Sequence, residues 1–478
     1  MQKQLVRIAS GLGTAWKTPG VKRGFVASWL LFAGSLTPAY LPQATPWWDT
    51  LRFVDEWWLS LTGTALIVAA MVLYISAWLA LRSAVRVTVA HWAVLFWWCL
   101  PLLAAPPIFS HDAYAYAAEG WLLRNGLNPY DNPISVLPGG FADQAAWAWR
   151  YTTAMYPPLS LRIFEVMVLI SGNIPYLATL LIRIPALIGV GLICYLLPKV
   201  AERSGASGQL AAWFGVLNPI LIVDFVGGMH NDALMLGLVL LAIWWAQGGH
   251  FWQAAALVGV AACVKQPAFL AFYPVALIGH PWKRLNWADS TRALGRLFLS
   301  LATSVVVFVG ITFLTGLGFG WWDAAAVPGT IITMAPFTLV GAGLQWVADL
   351  FFPAATGSFL LTFTRLLGLA FAFGALVFLG LGQGRTRPLY LLSWGWLAFA
   401  IGNTSLYTWY LTWGGLLLPL AKPSGRIMRW AVGFTAFLLA YGAVNVSVRN
   451  EVWVIGFAGL AVMFWLIWKE LKPSPAAA

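Results

Sequence analysis

Residues 59–81 read LSLTGTALIVAAMVLYISAWLAL, from Leu59 to Leu81, with no charged side chain, and the next residue is Arg82. About 20 apolar residues in a helix suffice to cross the hydrocarbon core of a bilayer, so this stretch reads as a membrane span closed by a cation. The rest of the chain has the same character. Of its 478 residues 60% are hydrophobic and 9% charged, and 30 are tryptophan; a soluble domain carries about 25% charged residues. Lipid must therefore solvate much of the surface, and the expected fold class is an all-α polytopic membrane protein. Cys99, Cys194 and Cys263 all lie in apolar runs and read as packing residues. The net charge of +12 is dispersed over short loops, which argues against a nucleic-acid partner.

Working outward, further apolar runs occupy about 25–41, 90–106, 175–198, 209–226, 232–247, 252–264, 267–280, 297–319, 358–382, 388–402, 410–421, 429–447 and 452–469. This makes about 13–14 transmembrane helices. With the N-terminus inside, twenty of the 28 Lys/Arg fall on the cytoplasmic side: five up to Arg23, then Arg82, Arg86, Lys199, Arg203, Lys283 to Arg296, Arg385, Arg387, Lys422 to Arg429, Lys469 and Lys472. Three acids share that side, Glu202, Asp289 and Glu470. The positive-inside rule thus places both termini on the cytoplasmic side of the membrane. The basic N-terminus reads as a signal anchor, since more spans follow directly; a cleaved signal peptide is the alternative. Two apolar stretches, about 157–172 and 336–352, are interrupted by Arg162, Glu165, Gln345 and Asp349 and read as helices at the outer interface. Runs 252–264 and 267–280, split by Lys265-Gln266-Pro267, form either a half-length hairpin or one kinked helix. A short Pro/Ala tail, 473–478, ends the chain. The chain divides into three regions: 1–89 with two leading spans, 90–320 as a core holding the long outer loop 107–174, and 321–478.

Ionisable groups beside spans are costly and mark function by default. On this topology they gather on the outer side: Asp112, Glu119, Arg124 and Arg162 in the long loop, then Asp224, His230, Asp232, Lys265 and Asp323. Several have structural alternatives. Asp112 can cap a helix over 113–123, and His111 can be a loop hydrogen-bonding residue. Asn128-Pro129-Tyr130-Asp131 has turn composition, and Tyr156-Pro157-Pro158 can set the loop's return to the membrane. His230-Asn231-Asp232 can cap the sixth span, and Lys265 can snorkel. Arg183 and Arg365, inside apolar runs, pair with an acid or touch substrate. The chain has no His-x-x-x-His, Cys-x-x-Cys, Asp-x-Asp or phosphate-loop pattern, so neither a metal nor a nucleotide is expected.

One acid at the mouth of a membrane bundle, with cations at its level, suits a lipid-phosphate sugar donor. The phosphate is a weakly basic leaving group, so a single general base on the attacking hydroxyl suffices; glycosidases expel an alkoxide and need two carboxyls. Asp112 is the expected base, and Lys265, Arg162 and Arg124 are the expected phosphate contacts. A transporter or flippase of a lipid-linked sugar is the rival reading. It predicts ionisable groups near the midplane and internal repeats, and neither is visible.

The run Ser110-His111-Asp112-Ala113-Tyr114-Ala115-Tyr116-Ala117-Ala118-Glu119-Gly120, followed by Asn128-Pro129-Tyr130, resembles the loop signature of GT-C membrane glycosyltransferases. Tyr156-Pro157-Pro158-Leu159, His230-Asn231-Asp232-Ala233-Leu234-Met235, Val264-Lys265-Gln266-Pro267-Ala268 and Trp409-Tyr410 come in the order seen in the polyprenol-phosphate-mannose-dependent α-1,6-mannosyltransferases of actinobacterial lipomannan synthesis. The resemblance covers about 90–460. It implies a GT-C bundle and an inverting transfer of mannose from polyprenyl-phosphate-mannose to a mannan or glycolipid acceptor, with Asp112 as base. It also implies no metal or other cofactor, and substrate contacts from His111, Tyr114, Tyr116, Glu119, Tyr130, Tyr156, His230, Asn231, Asp232, Trp409 and Tyr410. Two spans precede the catalytic loop, unlike the simplest GT-C pattern, which makes Asp49, Asp55 and Glu56 minor rivals for the base.

Overall fold

The computed structural model describes residues 2–51, 54–84, 89–352 and 358–471. Arg86, Lys472 and the tail 473–478 lie outside the described residues. Every element among the described residues is helical, as a chain solvated by lipid requires, since a helix satisfies its own backbone. Five helices are long and apolar enough to cross a membrane: Glu56–Arg82, Pro175–Arg203, Trp287–Thr315, Phe359–Leu381 and Gly425–Arg449. The run 209–226 is a pair of helices, Gly208–Val216 and Leu221–Gly227, bent by 56°. Pro219 lies in the break and supplies no N–H, while Asn218 bridges it by donating to the Phe214 carbonyl and accepting from the Ile220 N–H.

The remaining apolar runs are shorter helices, including His91–Ala104, Asp232–Gln247, Phe251–Val264, Gln266–Leu277, Pro388–Gly402 and Trp453–Lys469. The run at 410–421 is broken into Thr408–Gly415 and Leu418–Ala421. The stretches expected at the outer interface form Pro158–Ile170 and Pro336–Phe351, of 13 and 16 residues. Phe251–Val264 and Gln266–Leu277 make the hairpin rather than a kinked helix. Phe251 and Leu277, at the ends away from Lys265, line one cavity, and Lys265 between the two helices is extended (φ −155°). In Trp287–Thr315 and Phe359–Leu381 the most apolar window is only 22% buried, so these two helices turn apolar side chains such as Phe313 and Phe373 outward, as a lipid-facing wall does.

Three packing devices position the Asp112 loop against the bundle. First, Gly189 and Gly237 let Arg183–Arg203 and Asp232–Gln247 touch backbone to backbone: a Cβ on Gly189 would sit 2.2 Å from the Ala233 carbonyl. Small residues allow this approach between membrane helices. Gly189→Ala should therefore destabilise the fold by about 1–3 kcal/mol, read as a lower unfolding midpoint in detergent; Gly191→Ala, with nothing within 4 Å of its Cβ position, is the control. Second, Gly120 brings Asp112–Arg124 onto the backbone of Phe164 in Pro158–Ile170. The loop core forms around this crossing, with Tyr116 stacked on Phe164 at 4.6 Å. Third, Arg183 is fully buried and donates to three carbonyls, Val226 (2.9 Å), Leu103 (2.6 Å) and Ala105. It pairs with neither acid nor substrate cavity. It ties the segment entering the Asp112 loop to the end of the bent pair.

Candidate active site

Asp112 is the first residue of its helix, and the preceding His111 makes no side-chain cap bond. The Asp112 carboxylate accepts from Trp149 Nε1 (3.0 Å), and its other oxygen lies 3.7 Å from His230 Nδ1. Its hydrogen-bonding capacity is thus directed at side chains rather than at its own helix. Burial pushes the Asp112 carboxyl above the usual carboxylate range, opposed by Ser110, the Lys265 charge and the Trp149 N–H. His111 donates to the Tyr40 carbonyl (3.0 Å); burial lowers its ring to about 4, so it is neutral near pH 7 and does not compete as a cation. Phe109 and Met229, at φ 59° and 60°, turn the backbone just before His111-Asp112 and His230-Asn231-Asp232. Left-handed backbone at non-glycine residues gathers at such sites.

A cavity of about 450 Å³ lies over this carboxylate, with His111, Asp224, Thr408 and Trp409 among its walls. Asp224 accepts from the Thr408 hydroxyl (2.7 Å). Arg449, at the end of Gly425–Arg449, is the one Lys or Arg on the cavity wall among the described residues. It donates to the Ala39 carbonyl (2.6 Å) and lies over the Tyr40 ring. His230 stacks on Trp409 at 3.8 Å, and Trp409 on Tyr407 at 4.5 Å. Neither His230 nitrogen has a hydrogen-bond partner.

The other expected residues divide into a supporting layer and outliers. Asp232 accepts from Lys265 Nζ (2.7 Å) and Trp413 Nε1 (2.6 Å), and the ammonium sits near the faces of Tyr410, Trp413 and Tyr156 at 4.9–5.9 Å. Asn231 donates to Ser160, which donates to the Val264 carbonyl; neither Asn231 nor Asp232 caps the helix Asp232–Gln247. Tyr130 donates to the Tyr156 carbonyl (2.7 Å) and completes an Asx turn with Asn128. Tyr114 packs edge-on to His111. Glu119, two turns beyond Asp112, is buried with Oε2 unpartnered, and burial raises its carboxyl well above the usual range.

Arg162 is tied to Glu165 (2.7 Å) and the Thr315 carbonyl. Arg124 is exposed at the other end of the 13-residue helix begun by Asp112, roughly 18 Å away. Arg365 donates to the Gly329 carbonyl. Asp49, Asp55 and Glu56 do not line the cavity. Thr408 belongs to the run Tyr407-Thr408-Trp409-Tyr410 that the sequence places on the outer side, whereas Tyr40, Trp149 and Arg449 are site residues that it does not single out. Nothing local marks them, since each acts through a fold contact.

A family model described as "Alpha-(1->6)-mannopyranosyltransferase, N-terminal domain" matches residues 21–280. The chain belongs to this family. Among its relatives, alpha-(1->6)-mannopyranosyltransferase A of Mycobacterium tuberculosis is 29% identical over 84% of this chain and 80% of its own length. The Corynebacterium glutamicum protein of the same name is 28% identical over 79% of this chain and 81% of its own. A probable alpha-(1->6)-mannopyranosyltransferase of Mycolicibacterium smegmatis is 31% identical, covering 77% and 71%. The chain is therefore a multi-pass membrane glycosyltransferase of the mannopyranosyltransferase family. The matched region holds Asp112, Asp224, His230 and Lys265; Thr408 and Arg449 lie beyond it.

Proposed function

We propose that the chain transfers mannose from polyprenyl-phosphate-mannose to a hydroxyl of a mannan or glycolipid, forming an α-1,6 linkage on the outer face of the plasma membrane, with Asp112 as general base. One observation carries this reading. The Asp112 cavity shares Ile220, Thr408 and Leu438 with an apolar groove of about 730 Å³ between Pro388–Gly402, Thr408–Gly415 and Gly425–Arg449. A ligand that fills both is polar at one end and a long hydrocarbon at the other, which is the chemistry of a polyprenyl-phosphate sugar.

In the reaction the acceptor hydroxyl gives its proton to the Asp112 carboxylate as its oxygen attacks the anomeric carbon. The bond from that carbon to the phosphate oxygen breaks, and the phosphate leaves with the electron pair. Configuration inverts because attack comes opposite the leaving group. Arg449, held by a carbonyl and a ring, is the cation positioned to receive charge on the phosphate, whereas Lys265 and Arg162 are already neutralised by Asp232 and Glu165. Trp409, stacked on the buried His230, is part of the wall beside which the sugar ring sits.

The test is transfer by the purified protein from polyprenyl-phosphate-mannose to an α-mannoside. Charge-assisted contacts contribute about 1.5–3 kcal/mol, so Arg449→Gln should lower kcat/KM for the donor roughly 10–100-fold, Arg449→Lys should restore part of it, and Arg124→Gln should change nothing. Equal activity of Arg449→Gln and wild type would remove Arg449 from the donor site.

A further inference from the structure

A second polar cavity lies at the far end of the bundle. It encloses about 780 Å³, and Arg203, Arg296, Arg387, Lys422 and His280 line it; no carboxylate does so among the described residues. Two helices measure its separation from Asp112. Arg183–Arg203, a helix of 21 residues, has Arg183 under the Asp112 segment and Arg203 in this cavity, about 30 Å away. Gly425–Arg449 starts just after Lys422 and finishes at Arg449 in the Asp112 cavity, 25 residues, or about 37 Å. The cations that the charge count assigned to one side of the membrane thus meet at one end of the molecule.

Their convergence goes beyond that charge bias. The positive-inside rule puts Lys and Arg in loops; it does not bring four of them, from four separate elements, around one concavity. No Asp or Glu forms an ion pair with any of the four among the described residues. Two are fixed by carbonyls, which satisfy donors without cancelling charge: Arg296 by Ala276 (2.8 Å) and Arg387 by Ala421 (2.6 Å). Arg203 lies over Trp244 at 3.2 Å. Lys422 occupies the left-handed region at φ 53°, a conformation a long side chain seldom adopts. Much of the remaining wall is apolar, with Phe251, Leu277, Ile278 and Leu389, beside the polar Ser204, Gln247 and Thr386. A positive rim around an apolar wall selects an amphiphilic anion.

We propose that this cavity binds the phosphate headgroup of an acidic membrane lipid, with Arg203, Arg296, Arg387 and Lys422 around the phosphate and an acyl chain along the Phe251 and Leu389 wall. The site is separate from the sugar-transfer cavity and does not rest on the reading of Asp112.

Native mass spectrometry of the full chain in detergent tests it, with phosphatidylglycerol, phosphatidylcholine and inorganic phosphate as probes. Phosphatidylglycerol should be retained over phosphatidylcholine. Neither the Arg203 nor the Lys422 side chain makes a hydrogen bond among the described residues, so Arg203→Gln with Lys422→Gln is the first variant. Each cation near an anionic lipid contributes about fivefold in affinity, so the pair should lower phosphatidylglycerol retention roughly 30-fold. The charge-conserving pair Arg203→Lys with Lys422→Arg should keep it, as should Arg449→Gln at the opposite end. Phosphatidylcholine held as firmly as phosphatidylglycerol, undiminished retention by the Gln pair, or loss in the charge-conserving pair would overturn the site. Inorganic phosphate bound as tightly as the lipid would reassign it to a soluble anion and overturn the lipid reading.

Discussion

Asp112→Asn should abolish measurable sugar transfer, by about 10²–10⁴-fold in kcat if general-base catalysis has its usual weight, while the protein stays folded. Asparagine has the shape of aspartate, and its carbonyl oxygen can still accept from Trp149 Nε1, the bond that fixes one side of the group. Only the basic lone pair of a carboxylate is lost. A helix-capping role would predict the opposite pattern, since Asn caps as well as Asp and transfer would then survive. The pH dependence gives a second readout. Burial raises the Asp112 carboxyl above its ordinary value, and the base works only when deprotonated. The rate should therefore be flat at alkaline pH and fall with acid through an inflection above the ordinary aspartate range, a limb missing from any residual activity of the Asn variant. Wild-type kcat in Asp112→Asn, with an unchanged acid limb, would remove Asp112 from the chemistry.

The sequence was informative where cost was local. An acid next to His111 and among tyrosines is anomalous in a chain so poor in charge, and the structure lines one cavity with Asp112 and Trp409 and buries His230 behind them. The alternation of apolar runs and basic loops was equally readable, because it reports on one solvent boundary. What could not be read is pairing across distance. Arg449 stands 337 positions after Asp112 and looks like an ordinary cation at a helix end. Tyr40 belongs to a turn before the core, yet its carbonyl holds His111. Arg183 read as a charge that pairs with an acid or touches substrate; its partners are backbone carbonyls freed where helices end, which leave no signature in side-chain identity. Lys265 shows the limit most sharply: the sequence marked it as expensive and expected the donor phosphate or the interface for its charge, whereas the structure pairs it with Asp232.

That partner makes the second large prediction. Asp232 is completely buried, and Lys265 nearly so. Removing one member of such a pair leaves an uncompensated charge, at about 3–5 kcal/mol. Lys265→Met keeps the stem's bulk against Tyr156, Tyr410 and Trp413 but strips the cation from Asp232, whose carboxylate retains only Trp413 Nε1. The fold should lose stability by that amount, measured as unfolding in detergent. Asp232→Asn should cost less, because the ammonium keeps the faces of Tyr410 and Trp413. Combining the two should restore part of the loss, with a coupling of about 1–3 kcal/mol, since neither charge is then orphaned. A lysine whose main partner is the donor phosphate behaves differently: Lys265→Met would then raise donor KM with the unfolding transition unmoved and no coupling to Asp232. The double-mutant cycle therefore decides whether Lys265 holds up the floor of the site, through Asp232 and the helix that begins there, or reaches into it.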